Sequence, residues 1–285
     1  RDAQESRGLG DVYKRQPFIG EIPQYLSAKK KLGFDKHTQS VMKAIVVKEG
    51  NRNIINEAFR VLRSNIDFMA GKDSGQNVFM LTSFNPGSGK SFLAMNIAMS
   101  FAIKKKRILV IDGDLRHGST SSYVDSPKTG LSDYLGNRVS DWKEIIVKDE
   151  KYDNLHIIPI GTVPPNPTEL LEDGKLATLI EVLRSEYDYI FIDCPPIDIV
   201  ADAQIIEKLA DRTVFVVRSG LLDRSMLPEL ENIYQEKRFK NLSVILNGTE
   251  SAGGRYGYRY GYRNGYSSYY GNKGKMGGGK WMVIK

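Results

Sequence analysis

This 285-residue sequence has almost no cysteine and no long apolar run. Its one cysteine, Cys194, excludes an internal disulfide framework and suits a reducing compartment. No stretch reaches the roughly 18 apolar residues needed to span a bilayer. The first residues are charged and lack the apolar run of a signal peptide. With 41% hydrophobic and 26% charged residues, the sequence is typical of a globular protein with a sizeable core.

Acidic residues are absent from the end of the chain, and this explains the net charge of +7. From residue 251 onward there are seven basic residues and no Asp or Glu: Arg255, Arg259, Arg263, Lys273, Lys275, Lys280 and Lys285. The remaining chain has 34 basic and 34 acidic residues. A neutral body argues against a nucleic-acid-binding domain, so no nucleic acid is expected as a partner.

Composition divides the chain into four expected regions. Residues 1–16 are polar without a clear period and are expected to be a non-native or disordered remnant. Residues 17–44 are rich in Lys and are interpreted as a linker. Residues 45–250 are expected to form the folded domain. Residues 251–285 have no apolar face and are expected to be a disordered, Tyr/Gly-rich tail.

Apolar runs alternate with helical patterns across the expected domain, which predicts a parallel sheet flanked by helices on both faces. The predicted strands are 77–82, 107–112, 154–159, 187–193, 213–217 and 244–247, and the predicted helices are 53–68, 90–103, 176–185, 203–210 and 226–237. Ligands of such sheets bind at the carboxyl ends of the strands. The polar face of the first helix carries Glu57, Arg60 and Arg63, three residues apart.

The segment SFNPGSGKS, residues 83–91, follows a predicted strand and opens a predicted helix, which is the context of a phosphate loop. Pro86, Gly87, Ser88 and Gly89 form its turn, where glycines allow backbone N–H groups to face a phosphate. Lys90 is expected to reach the β- and γ-phosphates, and Ser91 to bind Mg²⁺. The pattern usually opens with Gly, and Phe84 stands there instead.

Two predicted strands end in aspartate. RILVIDGDLR places Asp112 at a strand end and Asp114 two residues later, and YIFIDCPP places Asp193 likewise. Strand-end carboxylates beside a phosphate loop can hold Mg²⁺ or accept a proton, whereas the other interpretation is a loop residue that caps a helix. Asn247 at the end of the last strand is either a contact to the nucleotide base or a turn residue.

The remaining reactive side chains give weaker signals. Cys194 reads as a small buried residue rather than a nucleophile. The three histidines have no metal-ligand spacing, and His117, near Asp114, reads as a solvated loop residue.

Together these residues resemble the catalytic domain of the bacterial tyrosine kinases, the autokinases of capsular and exopolysaccharide export. The resemblance covers roughly residues 17–270. Its motifs are PFIGEIP, EAFRVLRSNI, the phosphate loop without an early Gly, ILVIDGDLR, GTVPPNPTELL, IFIDCPP and a C-terminal tyrosine cluster. The cluster comprises Tyr256, Tyr258, Tyr260, Tyr262, Tyr266, Tyr269 and Tyr270.

The resemblance implies a P-loop kinase fold that uses ATP and Mg²⁺. It implies that Lys90 and Ser91 bind ATP and metal, and that Asp112, Asp114 and Asp193 hold metal and assist deprotonation of a tyrosine hydroxyl. Glu57, Arg60 and Arg63 would form the subunit contact of a ring-shaped homo-oligomer. The tail tyrosines would be phosphorylated by a neighbouring subunit.

The resemblance also implies a place in the cell. In the family, membrane helices flank a periplasmic domain in the same chain or in a partner, so residues 17–44 would lie near the membrane. The chain would then act on the cytoplasmic side of the bacterial inner membrane. Its partners would be the polysaccharide export machinery and a tyrosine phosphatase.

Three other functions fit parts of the sequence. An ATPase that positions other molecules, like ParA or MinD, shares the fold, but Asn85 stands where those proteins have a second Lys. A Gly/Arg/Tyr tail can bind RNA by stacking and charge, although it has no RGG repeats here. The third is a pseudokinase that only senses ATP, and the presence of Lys90, Asp112 and Asp193 weighs against it.

Overall fold

A computed structural model describes residues 17–25, 44–71, 75–197 and 201–250. The tail tyrosines and residues 1–16 lie outside these ranges. The strands are β1 (Phe18–Pro23), β2 (Val78–Thr82), β3 (Ile108–Asp112), β4 (Val147–Lys148), β5 (Leu155–Ile158), β6 (Tyr189–Asp193), β7 (Arg212–Arg218) and β8 (Ser243–Thr249). The helices are α1 (Ile54–Ala70), α2 (Lys90–Ala102), α3 (Leu131–Leu135), α4 (Pro167–Glu172), α5 (Lys175–Glu186), α6 (Asp202–Glu207) and α7 (Leu227–Gln235).

All eight strands belong to one sheet, in the order β1-β8-β7-β2-β6-β3-β5-β4. Every neighbouring pair is parallel except β4 and β5, which are antiparallel. The central strands β2, β3 and β6 are buried along their whole length. This confirms the predicted parallel sheet, because strands covered on both faces are apolar throughout rather than alternating.

Two hydrophobic clusters cover the faces of the sheet. Alternate residues of each central strand point to opposite faces, so Phe79 and Phe191 belong to one cluster while Met80 and Ile192 belong to the other. The first cluster includes the buried faces of α1 and α2, and the second includes those of α5, α6 and α7. Helices therefore flank the sheet on both sides, as predicted.

Helix α1 begins at a local cap and buries one stripe. The side chain of Asn53 accepts a hydrogen bond from the Asn56 N–H at the N-terminus of the helix. Phe59, Leu62 and Ile66 recur three or four residues apart and are fully buried. Helix α2 is instead buried almost all round, which fits its mostly apolar sequence.

The interpretation of residues 17–44 as a linker was wrong at its beginning. Residues Phe18–Pro23 form β1, an edge strand that pairs in parallel with β8. The strand follows Pro17, ends at Pro23 and contains Gly20, so its sequence has little strand signal of its own. Its strand conformation comes from pairing with a segment more than 200 residues away in sequence.

None of the helices in the described ranges combines the length and hydropathy that crossing a bilayer requires.

Candidate functional site

The loop of residues 83–91 connects β2 to α2 at the carboxyl edge of the sheet. Gly87 has φ +74° and Gly89, the N-cap residue of α2, has φ +93°, conformations that favour glycine. A Cβ atom on Gly89 would collide with the side-chain amide of Asn247, which donates to the Ser88 carbonyl at 2.9 Å. The loop thus turns its backbone outward while β8 supports it from behind. Pro86 and Gly87 form its exposed tip.

Phe84, at the position where the usual pattern has Gly, belongs to the core. It is 4% exposed and its ring packs edge-on against Phe215, with ring centroids 4.9 Å apart. The hydroxyls of Ser83 and Ser88 both donate to the Asn85 carbonyl at 2.8 Å and shape the turn. The loop is therefore fixed by packing at one end and by hydrogen bonds within the turn.

Lys90 and Ser91 lie on the first turn of α2, directly after the loop. The Lys90 Nζ atom donates to the Ser83 Oγ atom at 3.2 Å inside the loop. Burial lowers the pKa of Lys90, and the nearby Asp193 and Asp114 carboxylates oppose this shift. The Ser91 hydroxyl donates to the Asp193 Oδ2 atom at 2.5 Å. The phosphate loop and a strand-end aspartate are thus in direct contact.

Asp112 and Asp193 occupy paired positions at the ends of β3 and β6 and are almost fully buried. Asp112 Oδ2 accepts bonds from the Ser121 N–H at 2.6 Å and hydroxyl at 2.7 Å. Asp193 Oδ2 accepts from the Thr120 hydroxyl at 2.7 Å. Burial and the neighbouring Asp193 charge raise the pKa of Asp112 to about 8, and burial also raises the pKa of Asp193. The two buried carboxylates therefore repel each other when both are charged.

The free oxygens of these carboxylates fit a divalent cation. Within the described part of the chain, Asp112 Oδ1 and Asp193 Oδ1 are buried without a hydrogen-bond partner. No group of three or more His, Cys, Asp and Glu side chains there forms a complete metal site. Two carboxylates and the Ser91 hydroxyl are an incomplete set of hard oxygen ligands. That suits Mg²⁺, which takes its other ligands from phosphates and water.

Asp114 stands at the outer rim of this group. Its side chain is 12% exposed, and its Oδ1 atom accepts bonds from the Arg116 and His117 N–H groups at 3.2 and 3.3 Å. The His117 ring is also 3.3 Å from both carboxylate oxygens, and its side chain is 71% exposed. Asp114 is thus the member of the three aspartates that borders solvent and can meet an incoming group.

Comparisons with known proteins agree with this geometry. The family model described as "AAA domain" matches residues 76–238. A Staphylococcus aureus protein named "Putative tyrosine-protein kinase CapB" is 32% identical over 210 residues, covering 73% of this chain and 91% of that protein. The chain belongs to the bacterial tyrosine kinase family.

Two further relatives extend the comparison. The solved kinase domain of the Escherichia coli tyrosine kinase ETK has a TM-score of 0.71 at 27% identity, covering 87% of this chain and 95% of that one. A Klebsiella pneumoniae protein named "Putative tyrosine-protein kinase in cps region" is 34% identical over 254 residues. The match covers 87% of this chain and about a third, 34%, of that longer protein.

Sequence reasoning about this tyrosine kinase missed three supporting residues. Thr120 and Ser121 hold the buried aspartates, and Arg218 donates to the Gly87 carbonyl at 2.7 Å. The run GSTSS, which follows Asp112 and Asp114, was a possible signal, because hydroxyls can donate hydrogen bonds to buried carboxylates. For Arg218 the sequence has no signal, since its contact depends on how β7 and β2 pair.

A further cluster that sequence reasoning missed stabilises the structure beside Asp114 in this kinase. The fully buried Asp202 pairs with Arg116 Nε at 3.2 Å and accepts from the Thr168 hydroxyl at 2.7 Å. Arg116 also donates to Thr168 Oγ1 at 3.1 Å. The three residues join the loop after β3 to α4 and α6.

The kinase residues predicted for subunit contact lie on α1 and not with the phosphate loop. Glu57 forms an ion pair with Arg60, and Arg63 Nη1 donates to the Ser100 carbonyl at 2.9 Å. The predicted phosphorylation sites, Tyr256 to Tyr270, lie outside the described residues. The structure therefore brings together Lys90, Ser91 and the three aspartates, with Asn247 behind the loop.

Proposed function

We propose that this chain transfers the γ-phosphate of ATP to tyrosines of the C-terminal cluster of a neighbouring subunit. One observation carries the proposal: the phosphate-loop residues Lys90 and Ser91 lie against two buried carboxylates that each keep an oxygen free. The tyrosine kinase names of its relatives and the seven tail tyrosines support transfer to tyrosine rather than to water.

The binding residues of this proposal act on the nucleotide phosphates. The loop N–H groups at Gly87 to Gly89 and the N-terminus of α2 attract phosphate oxygens. Lys90 Nζ, released from Ser83, places its charge on the β- and γ-phosphates. Asn247 keeps the loop in its turned form, and a contact to the base stays a prediction for it.

The three aspartates and Ser91 would bind the metal and accept the proton of the tyrosine hydroxyl. A Mg²⁺ ion held by these residues would neutralise the negative charge that develops on the phosphates. Asp112, Asp193 and the Ser91 hydroxyl are its proposed ligands. A tyrosine hydroxyl has a pKa of about 10, so it needs a base as its oxygen approaches phosphorus. Asp114 is the proposed acceptor of that proton, and its position at the border with solvent supports this role.

Bond changes in the transfer balance as follows. The tyrosine oxygen forms a bond to the γ-phosphorus while the bond from the γ-phosphorus to the β,γ-bridging oxygen breaks. ADP leaves with the electron pair of that bond, and the hydroxyl proton passes to Asp114 and then to water. No oxidant or reductant is needed.

The proposed setting is a ring of subunits on the inner face of the bacterial membrane. Glu57, Arg60 and Arg63 would contact the next subunit, so that each tail reaches a neighbour's site. A membrane and periplasmic segment, the polysaccharide export machinery and a tyrosine phosphatase are the proposed partners. The printed names of relatives, with "cps region" among them, support the link to polysaccharide. Phosphates on the tail would loosen the ring by reversing the tail's charge.

The test is to incubate the full chain with Mg-ATP and map phosphate by mass spectrometry. Lys90→Met is the inactive variant, and Lys106→Met is the control because Lys106 is exposed and outside the loop. We expect phosphotyrosine within residues 256–270 in wild type and Lys106→Met, with at least a hundredfold loss in Lys90→Met. ADP release without phosphotyrosine in wild type would contradict the proposal and favour the ATPase switch.

A further inference from the structure

A basic cleft lies on the α1 side of the domain, away from the phosphate loop. It has a volume of about 170 Å³, well above the ~30 Å³ share of one water molecule. Its walls are residues 47–50, the first half of α1 and the C-terminal end of α2. The lining residues that matter below are Lys48, Glu49, Arg60, Arg63, Ile103 and Lys104.

The charges around the cleft favour an anion. Four basic side chains line it and only one acidic side chain, Glu49, does so. The pKa of Arg63 is lowered, first by burial and then by the positive charge of Arg60, although Asp67 opposes the shift. An anion in the cleft would offset the burial of the Arg63 guanidinium, whereas the charge of Arg60 is already partly balanced by Glu57. The C-terminal carbonyls of α2 oppose an anion, but Arg63 already occupies the Ser100 carbonyl at 2.9 Å.

Buried amides hold the walls of the cleft in place. Asn56 Oδ1 accepts from the Lys48 N–H at 2.8 Å, and Asn96 Oδ1 accepts from the Val46 and Val47 N–H groups at 2.7 and 3.2 Å. Arg60 is fixed by its ion pair with Glu57 and by donation to the Asn51 carbonyl at 2.5 Å. An anion would therefore meet a cleft whose shape exists before binding.

We propose that this cleft binds a phosphotyrosine of the C-terminal tail of a second copy of this chain. The proposal rests on the proposed function, which supplies the phosphotyrosine. Guanidinium groups bind phosphate through paired N–H donors, and the aliphatic side chain of Ile103 offers a surface for the phenyl ring. Unmodified, the tail has seven basic and no acidic residues, so the cleft repels it. Each added phosphate brings about −1.5 to −2 charges and reverses that repulsion.

Recognition here would couple phosphorylation to assembly. The cleft includes Arg60 and Arg63, which are also the predicted subunit contact. A phosphotyrosine seated in it competes directly with a neighbouring subunit for the same guanidinium groups. The tail would therefore be both a product of the site at the phosphate loop and a regulator of the α1 surface.

The experiment uses chemically synthesised peptides, so it is independent of kinase activity. A labelled peptide of residues 253–271, with its tyrosines phosphorylated or unmodified, is titrated with phosphatase-treated full chain, and binding is followed by fluorescence anisotropy. We expect the phosphopeptide to bind at least tenfold more tightly than the unmodified peptide. Equal binding of the two peptides would overturn the proposal.

Variants locate the binding. Lys104→Glu reverses an exposed charge at the cleft and is expected to weaken phosphopeptide binding at least tenfold, as is Arg63→Ala. Arg224→Ala is the matched control, because Arg224 is exposed and outside the lining residues, and it should bind as wild type does. Since Lys104→Glu removes no internal hydrogen bond of the described residues, it remains informative if Arg63→Ala unfolds. Unchanged binding by Lys104→Glu would overturn the assignment to this cleft.

Two competing ligands identify the chemical group that the cleft recognises. Phosphotyrosine alone should displace the phosphopeptide at lower concentration than inorganic phosphate, because only the former has a ring for Ile103. If inorganic phosphate displaces the phosphopeptide as well as phosphotyrosine does, the site recognises phosphate alone and the proposal fails. A chain that binds the phosphopeptide but makes no phosphotyrosine from ATP would contradict the proposed function and leave the cleft assigned.

Discussion

Two buried carboxylates facing the same small space are the most unusual residues of this protein. Asp112 and Asp193 are paired across β3 and β6, and neighbouring hydroxyls use only one oxygen of each. Keeping both charged without a cation is costly, so folding tightens proton binding at this pair. A cation that binds here must displace that proton.

The Asp112→Asn variant tests this charge balance. Folding raises the pKa of Asp112 from 3.8 to about 8. The folded state therefore binds a proton more tightly than the unfolded state, and its stability falls as pH rises from about 4 through about 8. Asparagine mimics the neutral carboxyl and removes this loss. Between pH 6 and pH 8, in EDTA, we expect wild type to lose about 1 kcal/mol per pH unit relative to the variant.

Thermal denaturation at several pH values measures the difference, at roughly 2–4 °C in Tm per kcal/mol for a chain of this size. Asp173→Asn, at an exposed position that caps no buried charge, should follow the wild-type pH dependence. A wild-type Tm that stays parallel to the Asp112→Asn Tm over this range would show that Asp112 is not protonated in the fold.

Gly89→Ala tests the shape of the phosphate loop at a single residue. Gly89 and Gly174 both precede a helix and both have positive φ, +93° and +82°. Alanine at either position costs about 1–3 kcal/mol in backbone strain. A Cβ on Gly174 meets nothing within 4 Å, whereas one on Gly89 must displace the Asn247 amide from Ser88. We therefore expect Mg-ATP binding at least tenfold weaker in Gly89→Ala only, as measured by calorimetry.

The matched glycine separates stability from binding. If Gly174→Ala weakens Mg-ATP binding as much as Gly89→Ala does, the effect comes from general destabilisation and the loop geometry is not its cause.

At the scale of elements, most of the sheet could be predicted because central strands are uniformly apolar. The strand-end positions of Asp112 and Asp193 could be predicted for the same reason, since each ends such a run and parallel strands share one carboxyl edge. Strand β1 could not be predicted, because PFIGEIP has no strand pattern and owes its conformation to β8. The role of Phe84 was also hidden, since only the fold shows its contact with Phe215.

The position of residues 44–48 also could not be predicted, because it depends on long-range contacts. This stretch has no regular secondary structure and is held by Asn56 of α1 and Asn96 of α2. Both asparagines lie on helices whose sequences read as amphipathic or apolar, where an amide has no predictable partner. Such buried amides specify how α1 lies against α2, the helix that carries Lys90 and Ser91.

Asn96→Ala tests that connection. It removes the acceptor of the Val46 and Val47 N–H groups and leaves buried donors unpaired. We expect a loss of about 2–4 kcal/mol in the free energy of unfolding and faster hydrogen exchange at both amides. Ser100→Ala is the control on the same helix, because its hydroxyl makes only a local bond to Ile97. Unchanged exchange at Val46 and Val47 in Asn96→Ala would refute the connecting role.

At the scale of the whole molecule, the proposed active site and the proposed acceptor tyrosines lie in separate parts of the chain. The phosphate loop and aspartates belong to the sheet, while the acceptor tyrosines lie beyond β8 in a basic sequence. The proposed ring, in which each tail meets the next subunit's site, would account for this separation. The α1 surface, with its basic cleft, would then link assembly to phosphorylation.

A mixing experiment tests transfer between subunits most directly. One chain carries Lys90→Met with an intact tail, and the other keeps Lys90 but has the seven tail tyrosines replaced by phenylalanine. Neither chain alone should form tail phosphotyrosine with Mg-ATP. Mixed together, they should place phosphate on Tyr256 to Tyr270 of the Lys90→Met chain, as mapped by mass spectrometry. Absence of tail phosphotyrosine from the mixture, while wild type alone forms it, would contradict transfer between subunits.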